Sequence, residues 1–413
     1  MSGTIETPRA PNPSLGDPRL SAPRAAPRKP MRLAWSDPKF RNLVWQVLIV
    51  GAIVGLIAFL ARNTARNLEA RHIATGFAFL SRAAGIPIGE HAVSYDPTVD
   101  SYGWTLVIGL INTMRVAVVG IVLATIIGTV VGIARLSTNF LLSGAAAVYV
   151  EVLRNIPVLL QLVFWYQLLQ TLPAVRAAFN PVPGVFLSNR GVTLPLLDWQ
   201  PAHGWAVAAF ALGLAGVFAS RRLAIRRQAA TGVRPAVWPV ALALLLALPV
   251  GIWAVLGAPF GLDMPARGTF NFSGGGTLRP EYVTLTLGLS LYTSAYIAEI
   301  VRSGILAVPR GQWEAAAAIG LRPGSVLRHI VLPQALRVVI PPMTSQYLNI
   351  TKNTTLAVAI GYQDVFSIDQ TILNQTGQAI EANALLMAIF LTISLSISLL
   401  MNWYNARIAL VSR

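Results

Sequence analysis

The sequence contains no cysteine, which removes disulfides, thiolate metal ligands and cysteine nucleophiles together. Charge is also scarce. Asp, Glu, Lys and Arg make up 12% of 413 residues, about half the share of a soluble domain. Lysine occurs only as Lys29, Lys39 and Lys352, and none of them follows a glycine. A P-loop ends in Gly-Lys-Ser/Thr because its lysine must reach the terminal phosphates from a glycine cradle. The chain therefore carries no such loop, and any ATP that drives it is bound by another polypeptide. His72, His91, His203 and His329 are scattered without metal-ligand spacing. No Gly-x-Ser-x-Gly occurs and no histidine has a plausible catalytic neighbour. These absences argue against a membrane-embedded enzyme and against a resident cofactor.

In place of charge there is long apolar sequence. Hydrophobic residues account for 54% of the chain, and eight runs are each about the length that crosses roughly 30 Å of hydrocarbon. They cover residues 43–61, 104–134, 142–172, 205–219, 237–256, 282–305, 338–360 and 384–403. The fold class this predicts is all-α: a polytopic membrane protein of about eight transmembrane helices. The net charge of +16 does not point to nucleic acid, because the basic residues sit at the ends of apolar runs and form no stripe with interleaved aromatics.

Charge asymmetry gives an orientation. Residues 1–40 are rich in proline and arginine and are expected to be disordered. A secretory signal is the poorer reading, since the leader is long and no small-residue cleavage site follows the first apolar run. Placing this basic leader in the cytoplasm puts Arg221, Arg222, Arg226, Arg227 and Arg234 there too, with Arg310, Arg322 and Arg328. Residues 364–381, with acids and no basic residue, then lie outside. This is the positive-inside pattern, with both termini inside. Residues 62–102 are an exception, with four arginines on the outer side balanced by four acids.

One polar interruption stands out between two apolar runs: residues 314–333, EAAAAIGLRPGSVLRHIVLP. Ala315 to Ala318 favour helix, Gly320 interrupts it, and Pro323 suits the first turn of a second helix. There Val326, Leu327, Ile330 and Val331 share one face, opposite Ser325, Arg328 and His329. Because Leu332 precedes Pro333, the second helix is expected to stop at that point. Such an amphipathic hairpin needs a surface on which to bury its stripe.

The interruption spells Glu314-Ala315-Ala316, three residues, Gly320, nine residues, Ile330-x-Leu332-Pro333. It resembles the EAA loop of the membrane subunits of ATP-binding-cassette (ABC) importers. The run Ala295-Tyr296-Ile297-Ala298-Glu299-Ile300-Val301-Arg302-Ser303-Gly304-Ile305 and the following Val308-Pro309-Arg310-Gly311-Gln312-Trp313-Glu314 resemble polar amino acid permeases. So do Glu151-Val152-Leu153-Arg154-Asn155-Ile156-Pro157, where the family more often has Arg-Gly-Thr-Pro, and Lys352-Asn353-Thr354-Thr355-Leu356. The resemblance implies a type I permease core in residues 104–172 and 281–413. Residues 41–103 become an extra helix and periplasmic loop, and 173–280 an insertion with two further helices, as in general L-amino acid importers of Gram-negative bacteria.

It also implies partners: two ATPase subunits that hold ATP and magnesium, a second permease subunit (a different one in preference to a copy of this chain), a periplasmic binding protein, and the bacterial inner membrane around them. The coupling hairpin would dock in a cleft of the ATPase through Glu314, Ala315, Ala316, Gly320, Val326, Leu327, Ile330 and Pro333, with Glu314 fixing the hairpin start by a local bond.

Candidate substrate-path residues are Asn112 and Thr113 in the second run, Tyr296 and Glu299, and Asn349, Lys352, Asn353 and Thr354, since ionisable groups in spans mark pathways by default. Two blander readings stand beside them. Glu299 can pair locally with Arg302, as Glu151 can with Arg154, and Lys352 can bind carbonyls where Pro341 and Pro342 break a helix. Trp104, Trp205 and Trp403 need only the aromatic belt. Rival functions are import of another small solute and transport driven by an ion gradient.

Overall fold

The computed structural model describes residues 38–70, 75–233 and 235–408; most of the basic leader lies outside them. Residues 1–73 and 74–413 form two separate units. The first contains α1, Pro38–Ala70. Leu43, Trp45, Ile49, Ile53, Leu56 and Phe59 are exposed around it, the pattern of a helix bathed in lipid.

The second unit is built on α2 (Tyr102–Ala134) and α8 (Pro280–Leu306), with α3 (Phe140–Asn155), α4 (Val158–Gln170), α11 (Leu332–Asn353), α12 (Val365–Thr376) and α13 (Ala379–Ile408) around them. Small residues allow α2 and α8 to approach closely. A Cβ on Gly128 would come within 2.7 Å of Ile297, and one on Gly132 within 3.0 Å of the Val301 side chain. Membrane helices pack through such stripes, because lipid offers no hydrophobic drive to association. Ala124, Ile297, Val301, Val339, Met343 and Ile350 fill the next layer. A separate cluster of Phe79, Ile86, Ile108, Val365, Ile368 and Ile372 ties α12 and the segment before α2 to the other end of the pair.

Two expectations need correction. Among the described residues six helices are long and apolar enough to cross a membrane, or seven when the pair α3 and α4 counts as one span. The run expected as one helix over 142–172 is bent by 105°. Ile156 precedes Pro157 and is extended there (φ −93°, ψ 127°), as the proline ring requires. The run 338–360 is the helix α11 followed by a tight 3₁₀ segment over Thr354–Ile360. The helix itself is less apolar than the others and is shielded by packing on α2, α8 and α13.

Second, the helix does not stop at Leu332. Residues Leu327–Val331 form a π-helical turn that runs directly into α11. The Leu332 N–H donates to the Leu327 carbonyl, five residues back, and the widened turn accommodates Pro333 without ending the helix.

The bulk of the chain is helical as expected, and short strands accompany the helices in one segment. Residues 173–280 carry β1 (Phe179–Val182), β2 (Val185–Ser188), β3 (Gly191–Leu194), β4 (Leu196–Leu197), β5 (Leu262–Asp263), β6 (Ala266–Arg267), β7 (Phe272–Ser273) and β8 (Gly276–Leu278). Antiparallel pairing in the order β1-β2-β3-β8 makes the main sheet. It brackets a helical hairpin of α5 (Pro201–Thr231), α6 (Trp238–Leu242) and α7 (Leu248–Val255). Strands of two to four residues are too short to leave a periodic signal.

Candidate coupling surface and polar sites

The hairpin starts with α9 (Arg310–Ala318). Gly320 has φ +74°, its N–H donates to the Ala317 carbonyl (2.9 Å), and the Leu321 N–H donates to Ala316 (3.1 Å). This pair of bonds is the Schellman arrangement that ends a helix on a left-handed glycine. Then α10 (Pro323–Val326) opens with its proline in the first turn and continues through the π turn.

The amphipathic stripe divides in a way the sequence did not show. Ala316, Val326 and Val331 are buried against Val308 and Ala335, with Ile330 partly buried, so they hold the hairpin to the rest of the chain. Pro333 is half-buried at the start of α11. The face left open consists of Trp313, Glu314, Ala315, Ile319 (75% exposed), Gly320, Leu321 and Leu327 (46% exposed). Ile319, Leu321 and Trp313 were not among the expected docking residues. Heptad reasoning assigns faces within one helix, whereas these three sit at a helix end and in the turn. Glu314 was expected to fix the hairpin start by a local bond; its side chain is exposed and makes no hydrogen bond or ion pair with the described residues. Arg310, Arg322, Arg328 and His329 of the hairpin are exposed as well.

Of the substrate-path candidates, Glu299 is engaged twice. It pairs with Arg302 at 2.8 Å and with Arg135 just past the end of α2. The expected Glu151 to Arg154 pair is not formed: Arg154 lies over the Tyr296 ring at 5.0 Å, and Tyr296 also bonds Tyr292, oxygen to oxygen at 3.1 Å. Asn349 and Lys352 are exposed, Asn353 is half-buried, and all three fall on one side of α11. Lys352 does not bind carbonyls as expected; its ammonium has no partner among the described residues. Thr354 is buried and donates to the Thr351 carbonyl at 2.9 Å.

Asn112 and Thr113 lie elsewhere, where α2 meets two connecting segments. The Asn112 amide donates to the carbonyls of Glu90 (2.9 Å) and Gln363 (3.0 Å). The Thr113 hydroxyl accepts from the Val365 N–H at 3.1 Å and donates to Gly109. Beside them is a polar cavity of about 70 Å³ lined by Gly89, Glu90, Asn112, Arg279, Glu281 and Gln363, among others. Glu90 takes a bond from Arg115 at 3.3 Å, and Tyr166 donates to Glu281 at 3.1 Å. Burial raises the Glu90 carboxyl above its ordinary value, against the pull of Arg115 and Arg279. Apart from Asn112, these groups were missed, because they are isolated charges in connecting segments and at helix ends with no motif to join them.

Long apolar helices, a close-packed core pair and a partly unsatisfied amphipathic hairpin define the membrane subunit of a transporter. Residues 118–410 match the family described as binding-protein-dependent transport system inner membrane component, and the chain belongs to that family. It is a multi-pass inner-membrane protein and the non-catalytic permease of an ABC importer whose ATPase is a separate subunit.

The chain is 47% identical to the putative amino-acid ABC transporter permease protein YhdX of Escherichia coli, over 92% of this chain and 97% of that one. It is 45% identical to the general L-amino acid transport system permease protein AapQ of Rhizobium johnstonii, over 92% and 96%. It is 38% identical to the glutamate/glutamine/aspartate/asparagine transport system permease protein BztB of Rhodobacter capsulatus, over 91% and 96%. With more than nine-tenths of the chain aligned, the strand-bearing residues 173–280 fall largely within the shared sequence.

Proposed function

We propose that this permease imports L-amino acids, pairs with a second, different permease subunit, and is driven through its hairpin by the partner ATPase, which binds ATP and magnesium. The observation that carries the coupling role is the open face of Glu314, Ala315, Ile319, Gly320, Leu321 and Leu327. An apolar patch around a free carboxylate, held rigidly by the buried Ala316, Val326 and Val331, is suited to transmit movement from a docked protein. The names of the relatives support the substrate class, and the basic character of the leader and of α5 supports cytoplasmic termini. Asn349, Lys352 and Asn353 line the solute path on this reading, with the unpaired Lys352 ammonium available to a carboxylate. Glu299, Tyr296, Thr113 and Thr354 are framework, since each is engaged within the chain.

The test is uptake of radiolabelled L-amino acids into proteoliposomes that hold the permease pair and ATPase. Uptake that requires ATP and the binding protein and ignores uncouplers supports the proposal. Uptake that follows an imposed proton or sodium gradient without ATP overturns it.

A further inference from the structure

The polar cavity beside Asn112 is more than a crossing of chain segments. Asn112 is completely buried, and its side-chain oxygen, like the second carboxylate oxygen of Glu90, has no hydrogen-bond partner. Both residues line the cavity, and buried acceptors without a partner are costly unless something donates to them. At the rim lies a complementary group: Arg279 is exposed, and no hydrogen bond of its side chain occurs among the described residues. Gly89 leaves the room this guanidinium occupies, for any side chain at 89 would collide with it.

The charges around the cavity decide what fits. Glu90 and Glu281 are opposed by Arg115 and Arg279. A lone cation would be repelled by the two arginines and a lone anion by the two carboxylates. A ligand carrying both charges one carbon apart meets donors and acceptors at once. The volume of about 70 Å³ holds several times what one water needs, enough for a head group and too little for a long side chain.

We propose that this cavity binds the zwitterionic head of an α-amino acid, with its ammonium on the free oxygens of Asn112 and Glu90 and its carboxylate toward Arg279, while the side chain projects out of the mouth. The inference rests on the amino acid import reading and adds a head-group site in the permease itself, separate from the Lys352 face. Recognition there is independent of the side chain, which suits a transporter of several amino acids.

The experiment uses the assembled permease and ATPase complex in nanodiscs without binding protein, and measures equilibrium binding of radiolabelled L-alanine. Saturable binding is expected, displaced by L-glutamine and not by L-lactate, which keeps the carboxylate and lacks the ammonium. Glu90→Gln and Arg279→Gln should each weaken it about tenfold, near the worth of one charge-assisted bond. Arg279 is exposed, so its substitution leaves the frame intact; Glu90→Gln keeps shape. Unchanged binding in both variants, equal displacement by L-lactate, or a cavity that holds only water overturns the site. If the wild-type complex still shows ATP- and binding-protein-dependent uptake in that case, import stands without it; absence of such uptake removes the underlying reading instead.

Discussion

The Glu299 carboxylate on α8 is bonded to the guanidinium of Arg135, the residue that closes α2. The same carboxylate holds Arg302 one turn along its own helix. The bond to Arg135 joins the two central helices across 164 residues of sequence, whereas the bond to Arg302 is local and persists in part in an unfolded helix.

Arg135→Gln should therefore cost more stability than Arg302→Gln. The groups are partly exposed, so the expected loss lies between that of surface and buried pairs, about 1–2 kcal/mol for Arg135 and under about 1 kcal/mol for Arg302. Thermal melts of the purified complex should rank Arg302→Gln above Arg135→Gln; the opposite order would show that the interhelical bond contributes nothing.

At Gly128 the contact is steric. A methyl group there meets the Ile297 side chain at 2.7 Å and the Ser294 carbonyl at 2.8 Å, so Gly128→Ala should force α2 and α8 apart and cost about 1–3 kcal/mol. Gly144 has nothing within 4 Å, and Gly144→Ala serves as the control. Equal melting points for the two variants would contradict close packing of the pair.

Gly320 has open space around it and a left-handed backbone, so conformation alone decides what it tolerates. Gly320→Asn should retain most ATP-driven uptake, since asparagine visits this region, while Gly320→Val should lose it at a backbone cost of about 1–2 kcal/mol or more. Equal uptake by both variants would mean that the turn does not transmit force.

On the open face, Leu321→Asp and Ile319→Asp should leave the isolated permease folded, because both side chains are exposed, yet reduce copurification of the ATPase and uptake by tenfold or more. Val326→Asp should instead unfold the hairpin, being buried within the chain. Circular dichroism alongside pull-down separates the two effects, and full ATPase binding by both turn variants would place the docking surface elsewhere.

Asp369 on α12, outside the expected spans, is fully buried with neither carboxylate oxygen hydrogen-bonded, and burial lifts its carboxyl to about 6. Asp364, which caps α12 through the Ser367 N–H at 2.9 Å, is raised by burial to about 7. Both folded values exceed the ordinary 3.8, so the folded chain binds protons more tightly than the unfolded one. The stability this adds is complete below about pH 4 and is lost as pH rises through 6 to 7. Melting temperature should thus rise between pH 8 and pH 5.5, and Asp369→Asn should flatten part of that slope; an unchanged slope would remove Asp369 as its source.

The sequence by itself determined the membrane class, most helix positions and the place of the hairpin, because each of these is written in local periodicity, composition and spacing. Gly320 illustrates the reach of local chemistry: a helix of alanines followed by glycine already specifies the turn. The ion pair of Glu299 with Arg302 was legible for the same reason.

Tertiary structure decided everything that depends on who sits opposite whom. Val326 and Leu327 look alike in sequence, yet one is packed on Val308 and Ala316 while the other faces outward, since only the folded hairpin shows which surface its own chain consumes. The widened turn before Pro333, Arg135 opposite Glu299, and the meeting of Glu90, Asn112 and Arg279 all depend on segments far apart in sequence. No local rule carries that information, because burial and charge pairing are properties of the packed neighbours and not of the residue alone.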